Sequence, residues 1–200
     1  DWSSDVCSSD LALGPEGLKR AVVVVATSDQ PPLARRRALH AAMTVAEHFR
    51  DEGRHVLMLA DSVTRFAEAH REIALAAGER ASLRGFPPSI AHMLMSLAER
   101  AGPGDPASGG DITAIFTVLV PGSDMDEPVA DILRGVLDGH VVLDRAIAER
   151  GRYPAIDVLR SVSRSLPDCA TVEENAVIAL ARRRIAAYAQ AELMLQSGLY

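Results

Sequence analysis

The stretch HVLMLADSVTRF, residues 55–66, brings an apolar run to a stop on a carboxylate, Asp61, and sets a guanidinium, Arg65, four residues later. An aspartate at the carboxyl end of a buried parallel strand lies where ligands of α/β sheets collect and where helix N-termini add positive partial charge. Such a carboxylate can hold Mg²⁺, mostly through water, because the ion takes oxygen ligands and keeps much of its hydration shell. The plainer reading of the same residue is a cap on the helix that follows. Arg65 likewise has a plain reading, a helix-surface arginine paired with Glu68 or Glu72.

The elements that must position these groups alternate in type. AVVVVATSD (21–29) reads as a strand buried on both faces. After Pro31-Pro32, a helix carries Leu39, Met43, Ala46 and Phe49 at helical spacing and closes at Gly53. HVLMLAD is a second strand, and the helix after it places Phe66, Ala69, Ile73 and Ala77 on one face and stops at Gly78. Pro87-Pro88 start a third helix that ends by Gly102. A turn-rich loop leads to the strand ITAIFTVLV (112–120), and PGSDMDEP leads to the helix VADILRGVLDG. The strand HVVLDR precedes a short helix and the turn RGRYPAID, and from Thr171 the pattern is purely helical. This order predicts an α/β fold, a mostly parallel sheet flanked by helices, followed by a small all-helical C-terminal region.

Composition narrows the class. Of 200 residues, 48% are apolar and 4% aromatic, which predicts a core of Ala, Leu, Val and Ile. A net charge of −6 argues against a nucleic-acid partner, and no basic, aromatic-studded track for a single strand is visible. Two cysteines, Cys7 and Cys169, make no disulfide framework and fit a reducing, cytoplasmic setting. No apolar run reaches the roughly 18 residues that span a bilayer. Residues 1–11, DWSSDVCSSDL, are Ser- and Asp-rich without periodicity and read as a non-native leader or assembly artefact. The six histidines are dispersed, with no pair at metal-binding helical spacing, so structural roles are expected for them. SDMDEP lacks the spacing of a calcium loop, and the run Arg182 to Arg184 reads as a solvated helix face.

Longer motifs carry more. DSVTRFAEAHREIALAAGE, then GFPPS, GDITAIFTVLVPGSDMDEPVAD and LDGHVVLDRAIAERGRYPAIDVLRSVSR occur in order. Together they resemble the flagellar and type III secretion export ATPases, relatives of the catalytic subunit of rotary ATP synthase. The tail SLPDCATVEENAVIALARRRIAAYAQ looks more flagellar than virulence-associated. The resemblance implies the C-terminal part of a RecA-like nucleotide-binding core over 12–166 and the start of a helical domain over 167–200. It implies that Asp61 is the Walker B carboxylate acting on Mg²⁺ and that Arg65 reaches the γ-phosphate side of an ATP site. Tyr153 would stack on adenine, with packing in the turn as its plain alternative. Arg164 would be an arginine finger entering a neighbouring subunit's site, with a structural loop arginine as its alternative. The implied partners are a homo-oligomeric ring, expected to be a hexamer, stalk and regulatory proteins, export substrates and chaperones, and peripherally a membrane export gate. The 121–128 loop would face the ring's central hole. A non-catalytic nucleotide-binding subunit of a rotary-type ATPase and a virulence-type secretion ATPase stand as alternatives. His70 falls where glutamine is more usual, and Asp144 where serine is common.

A phosphate-cradling loop needs glycines and a lysine in the pattern G-x-x-x-x-G-K-[ST]. The only lysine here is Lys19, between Leu18 and Arg20, without a glycine-rich approach. The family's phosphate loop and catalytic glutamate lie upstream of the first matching residue. The 200-residue chain alone is therefore expected not to hydrolyse ATP, and its sheet is expected to expose apolar strand edge.

Overall fold

The structure, a computed structural model, describes residues 13–82, 84–107, 109–196 and 198. The expected leader over 1–11, with Cys7, lies outside them. The chain divides into two compact units, one ending at Val136 and the other beginning at Leu137.

In the first unit, helix α1 (Pro32–Asp51) starts where two prolines preset its backbone, and it carries His48 and Arg50 in its last turn, where cations suit the helix dipole. Strand β1 (His55–Ala60) lies parallel to β3 (Asp111–Phe116), paired from His55 with Asp111 to Ala60 with Phe116. The two-residue β2 (Gly102–Pro103) runs antiparallel on the other side of β3, giving the order β1-β3-β2. Helix α2 (Val63–Ala76) follows β1, α3 (Ser89–Ala98) precedes β2, and α4 (Pro128–Val136) closes the unit.

Strand alternation decides which side of β1 and β3 is covered. Met58, Ala60 and Ile112 are buried, and α1 packs on both strands. Met43 and Ala46 of α1 join Val63, Phe66 and Ala69 of α2 in the core, and Ile90, Leu94 and Leu97 of α3 pack with Val129 and Leu133 of α4. The opposite side is apolar and open: Leu57 is 62% exposed, Leu59 68% and Ile115 52%. Behind the sheet, Arg100 grips Glu47 of α1 through two bonds of 2.8 and 2.5 Å, and the guanidinium holds that carboxyl below the usual range.

The second unit holds the antiparallel pair β4 (Gly139–Leu143) and β5 (Ile156–Ser163), joined through the short helix α5 (Arg145–Glu149). Helix α6 (Val172–Gln196) ends it. A reciprocal capping box starts α6: the Thr171 N–H donates to Glu174 Oε2 at 2.8 Å, and the Glu174 N–H donates to Thr171 Oγ1 at 3.2 Å.

The α/β character and the C-terminal helix agree with the sequence reading. Three elements differ from it. Residues 21–27 form no strand, and Val22, Val23 and Val25 are exposed, because among the described residues no neighbour offers them a ladder. The strand expected over 112–120 stops at Phe116, where Thr117 turns its bonds toward the end of β1. Strand β5 is absent from the sequence reading, whose turn RGRYPAID takes in Ile156 and Asp157 and which assigns no element to 158–163, although Ile156, Val158 and Val162 share a strand's parity.

Candidate functional site

Asp61 occupies the first position beyond β1, at the carboxyl end of the one parallel pair among the described residues. It does not cap the next helix. Ser62 takes that role, its hydroxyl accepting the Arg65 N–H at 3.4 Å. Asp61 instead accepts a 2.6 Å hydrogen bond at Oδ1 from the Thr117 hydroxyl, one residue past the end of β3. Thr117 is fixed by its own backbone, its N–H donating to Ala60 O at 3.0 Å and its carbonyl accepting the Val63 N–H at 3.0 Å. Two strand ends and the start of α2 are thus laced together around one exposed carboxylate.

Thr64 continues the lacing. It is buried, and its Oγ1 accepts the Leu119 N–H at 2.8 Å, which holds the chain after β3 against the first turn of α2. The sequence reading missed both threonines. The signal available was the pairing itself: once the two strands are aligned in register, the residues after Ala60 and Phe116 must meet.

Arg65 lies on the same first turn, half-exposed, with its guanidinium 3.7 Å from Glu68. Glu72, the other expected partner, is taken by Arg35 of α1 at 2.8 Å. Deeper in α2, His70 is buried between helices. Arg36 Nη1 lies 3.4 Å from its Nδ1 and Ser89 Oγ 2.7 Å from its Nε2. A guanidinium only donates, so Nδ1 accepts, Nε2–H donates to Ser89, and the Ser89 hydroxyl donates to Glu79 at 2.7 Å. Burial first, and then the Arg36 charge, push the His70 pKa down, with Glu79 opposing. This relay ties α1, α2 and the start of α3 behind the site.

In the second unit, Tyr153 sits in the turn before β5, 75% exposed, with a cis bond to Pro154. Arg164 follows β5 directly and is exposed, its N–H donating to Asp138 O at 2.7 Å. The eight residues of β5 separate the two along the chain. Asp144 caps α5 by accepting the Ala146 N–H at 2.8 Å.

The carboxylate suits a hydrated divalent cation: it is exposed, and one of its oxygens is already oriented by a hydroxyl. An open groove between residues 24–27 and the first turns of α1 is lined by none of the four sequence-predicted residues.

Comparison with known proteins gives a consistent neighbourhood. Residues 6–163 match the family model described as ATP synthase alpha/beta family, nucleotide-binding domain. The chain is 52% identical over 192 residues to the flagellum-specific ATP synthase of Caulobacter vibrioides, covering 94% of this chain and 43% of that protein. It is 52% identical over 191 residues to the SPI-2 type 3 secretion system ATPase of Salmonella typhimurium, covering 96% and 43%. The assembled ATPase EscN of the enteropathogenic E. coli type III secretion system superposes with a TM-score of 0.91 at 44% identity, covering 97% of this chain and 47% of that one. EscN in complex with its central stalk EscO superposes with a TM-score of 0.84, covering 95% and 45%. The chain spans less than half the length of the curated relatives it matches.

Proposed function

Because the chain belongs to the ATP synthase alpha/beta family, we propose that it forms part of a ring-shaped motor that hydrolyses ATP to energise protein export. Residues 12–166 belong to the nucleotide-binding core, and 167–200 begin the helical domain; the family match ending at residue 163 supports that boundary. The observation that carries the reading is the Asp61 carboxylate, held by Thr117 at the carboxyl end of the parallel strands.

Asp61 would hold Mg²⁺ through its water shell, and the ion would supply charge neutralisation at the β- and γ-phosphates. Arg65 stands on the next turn to meet the γ-phosphate side. Tyr153, with its ring exposed in a rigid turn, stacks on adenine. Arg164 serves a different site from Tyr153, in the neighbouring subunit, and stabilises charge on the transferring phosphoryl group. Their placement at opposite ends of β5 supports this division of labour.

The ring, expected to be a hexamer, and a central stalk partner follow from likeness to EscN, which was solved assembled and with EscO. Identity is equal for the flagellar and the virulence relative, so the flagellar reading rests on the tail from Ser165 onward. No described helix is long and apolar enough to cross a membrane. We place the protein in the cytoplasm, docking peripherally at an export gate with its substrates and chaperones.

The test uses a complete chain that carries its phosphate loop. Asp61→Ala is expected to abolish magnesium-dependent phosphate release, and so is Arg164→Ala. Mixing the two variants should restore turnover at interfaces that combine an intact Asp61 with a neighbour's intact Arg164. Full turnover by Asp61→Ala alone would overturn the assignment.

A further inference from the structure

The pairing of β5 with β4 is not continuous. Gly139 and His140 pair with Ser163 and Val162, and Val142 and Leu143 pair with Asp157 and Ile156, so Val141 alone stands opposite residues 158–161. An insertion of this size takes backbone groups off the ladder, and each then needs another partner. Side chains supply nearly all of them. Asp157 Oδ1 accepts the N–H groups of Leu159 and Arg160 at 3.0 and 3.1 Å. His140 Nε2 lies 3.1 Å from Arg160 O and must donate, since a carbonyl only accepts. The Ser161 hydroxyl donates to Asp157 O at 2.6 Å and accepts the Val142 N–H at 3.0 Å.

The remaining three carbonyls converge on a single guanidinium. Arg182, on α6, donates through Nη1 to Val158 O at 2.7 Å and Ser161 O at 3.3 Å, and through Nη2 to Leu159 O at 3.0 Å. The sequence had suggested a solvated face for the run Arg182 to Arg184. Arg183 and Arg184 are exposed, whereas Arg182 is turned onto the strand. A planar fork of donors can span three acceptors in one place, which a lysine ammonium cannot reproduce.

Past the bulge, the strand runs two residues to Arg164. That stretch is held on its other side by the Gly139–Ser163 pair, where a Cβ on residue 139 would come within 2.6 Å of Val162 O, and by the Arg164 N–H on Asp138 O. We infer that Arg182 is a positioning residue for Arg164: by clamping the bulge it fixes where the strand delivers that arginine, and it couples this placement to helix α6. The inference rests on the reading of Arg164 as acting in a neighbour's site. The same clamp borders the Tyr153 end of β5, so the experiment must separate the two ends.

In the complete ring-forming protein, Arg182→Ala is expected to lower kcat on the order of 10²-fold, the scale of a misplacement of about 1 Å, with KM for ATP nearly unchanged. Arg182→Lys should recover only part of the loss, and Arg183→Ala should behave as wild type. Combining Arg182→Ala with Arg164→Ala should cost no more than Arg164→Ala alone, because one acts through the other. Mixed rings of Arg182→Ala and Asp61→Ala subunits should regain turnover as the Arg164→Ala and Asp61→Ala mixture does, the pocket of one meeting the arginine of the other. If Arg182→Ala does not assemble, Arg182→Lys carries the mixing. A raised KM with kcat intact would place the effect at Tyr153 and overturn the proposal. So would failure of the Arg182 mixture where the Arg164 mixture recovers, with the reading of Arg164 left standing. Failure of the Arg164 mixture itself would remove that reading and this proposal together.

Discussion

At the scale of single residues, the informative contrast is between Asp61 and Ser62. Either could have capped α2, and the serine does, which leaves the carboxylate to a threonine hydroxyl from the neighbouring strand. Groups that orient a metal-binding carboxylate typically contribute 10- to 100-fold to metal affinity or activity. We therefore expect Thr117→Val, in the complete chain, to lower magnesium-dependent turnover by about that factor. The backbone bonds of residue 117 do not involve its hydroxyl, so assembly and the far-UV circular dichroism spectrum should stay as in the wild type. A Thr117→Val enzyme with unchanged magnesium dependence would show that the hydroxyl only fills space.

At the scale of elements, helix α2 has to present its first turn to the site while holding a polar relay in its middle. His70 is depressed from its ordinary value near 6.5 by burial and by Arg36. In the window between that value and the lower one of the folded state, the unfolded chain binds more protons. Stability is then complete above about pH 6.5 and is lost as pH falls through the window. Protonation would also set an N–H against the Arg36 guanidinium. His70→Gln keeps hydrogen-bonding groups without a titration, so its unfolding midpoint should fall less than the wild type's between pH 7.5 and about pH 5. His40, also depressed by burial and then by Arg100 and Arg36, leaves a residual slope in the same direction. Apolar packing of α3 sets a larger scale: Leu94, fully buried, should cost about 2–5 kcal/mol on truncation to alanine, read as a drop in denaturation midpoint.

At the scale of the whole molecule, the open side of β1 and β3 matters most. Leu57 and Leu59 of β1 and Ile115 of β3 form an apolar strip on one face, and β1 is an edge of its sheet among the described residues. Edges and apolar strips of this kind pair with other copies. The 200-residue chain on its own should self-associate, and replacing Leu57 and Leu59 by lysine should shift it toward monomer in size-exclusion chromatography with light scattering.

The sequence by itself determined the family, the end of β1 on Asp61, the prolines that start α1 and precede α3, and the cap-and-helix order around them. These features are local or carried by contiguous motifs, so adjacent residues are enough to specify them. Tertiary structure decided that Thr117 rather than a helix end occupies Asp61, that Glu72 belongs to Arg35, and that residues 21–27 form no strand. It also decided that Arg182 closes the bulge of β5. Each depends on groups separated by at least 21 residues along the chain, or on a neighbour that a strand needs and its own sequence cannot supply. Hydrogen-bonding groups are satisfied wherever the fold brings a partner, and that choice is made in space rather than along the chain.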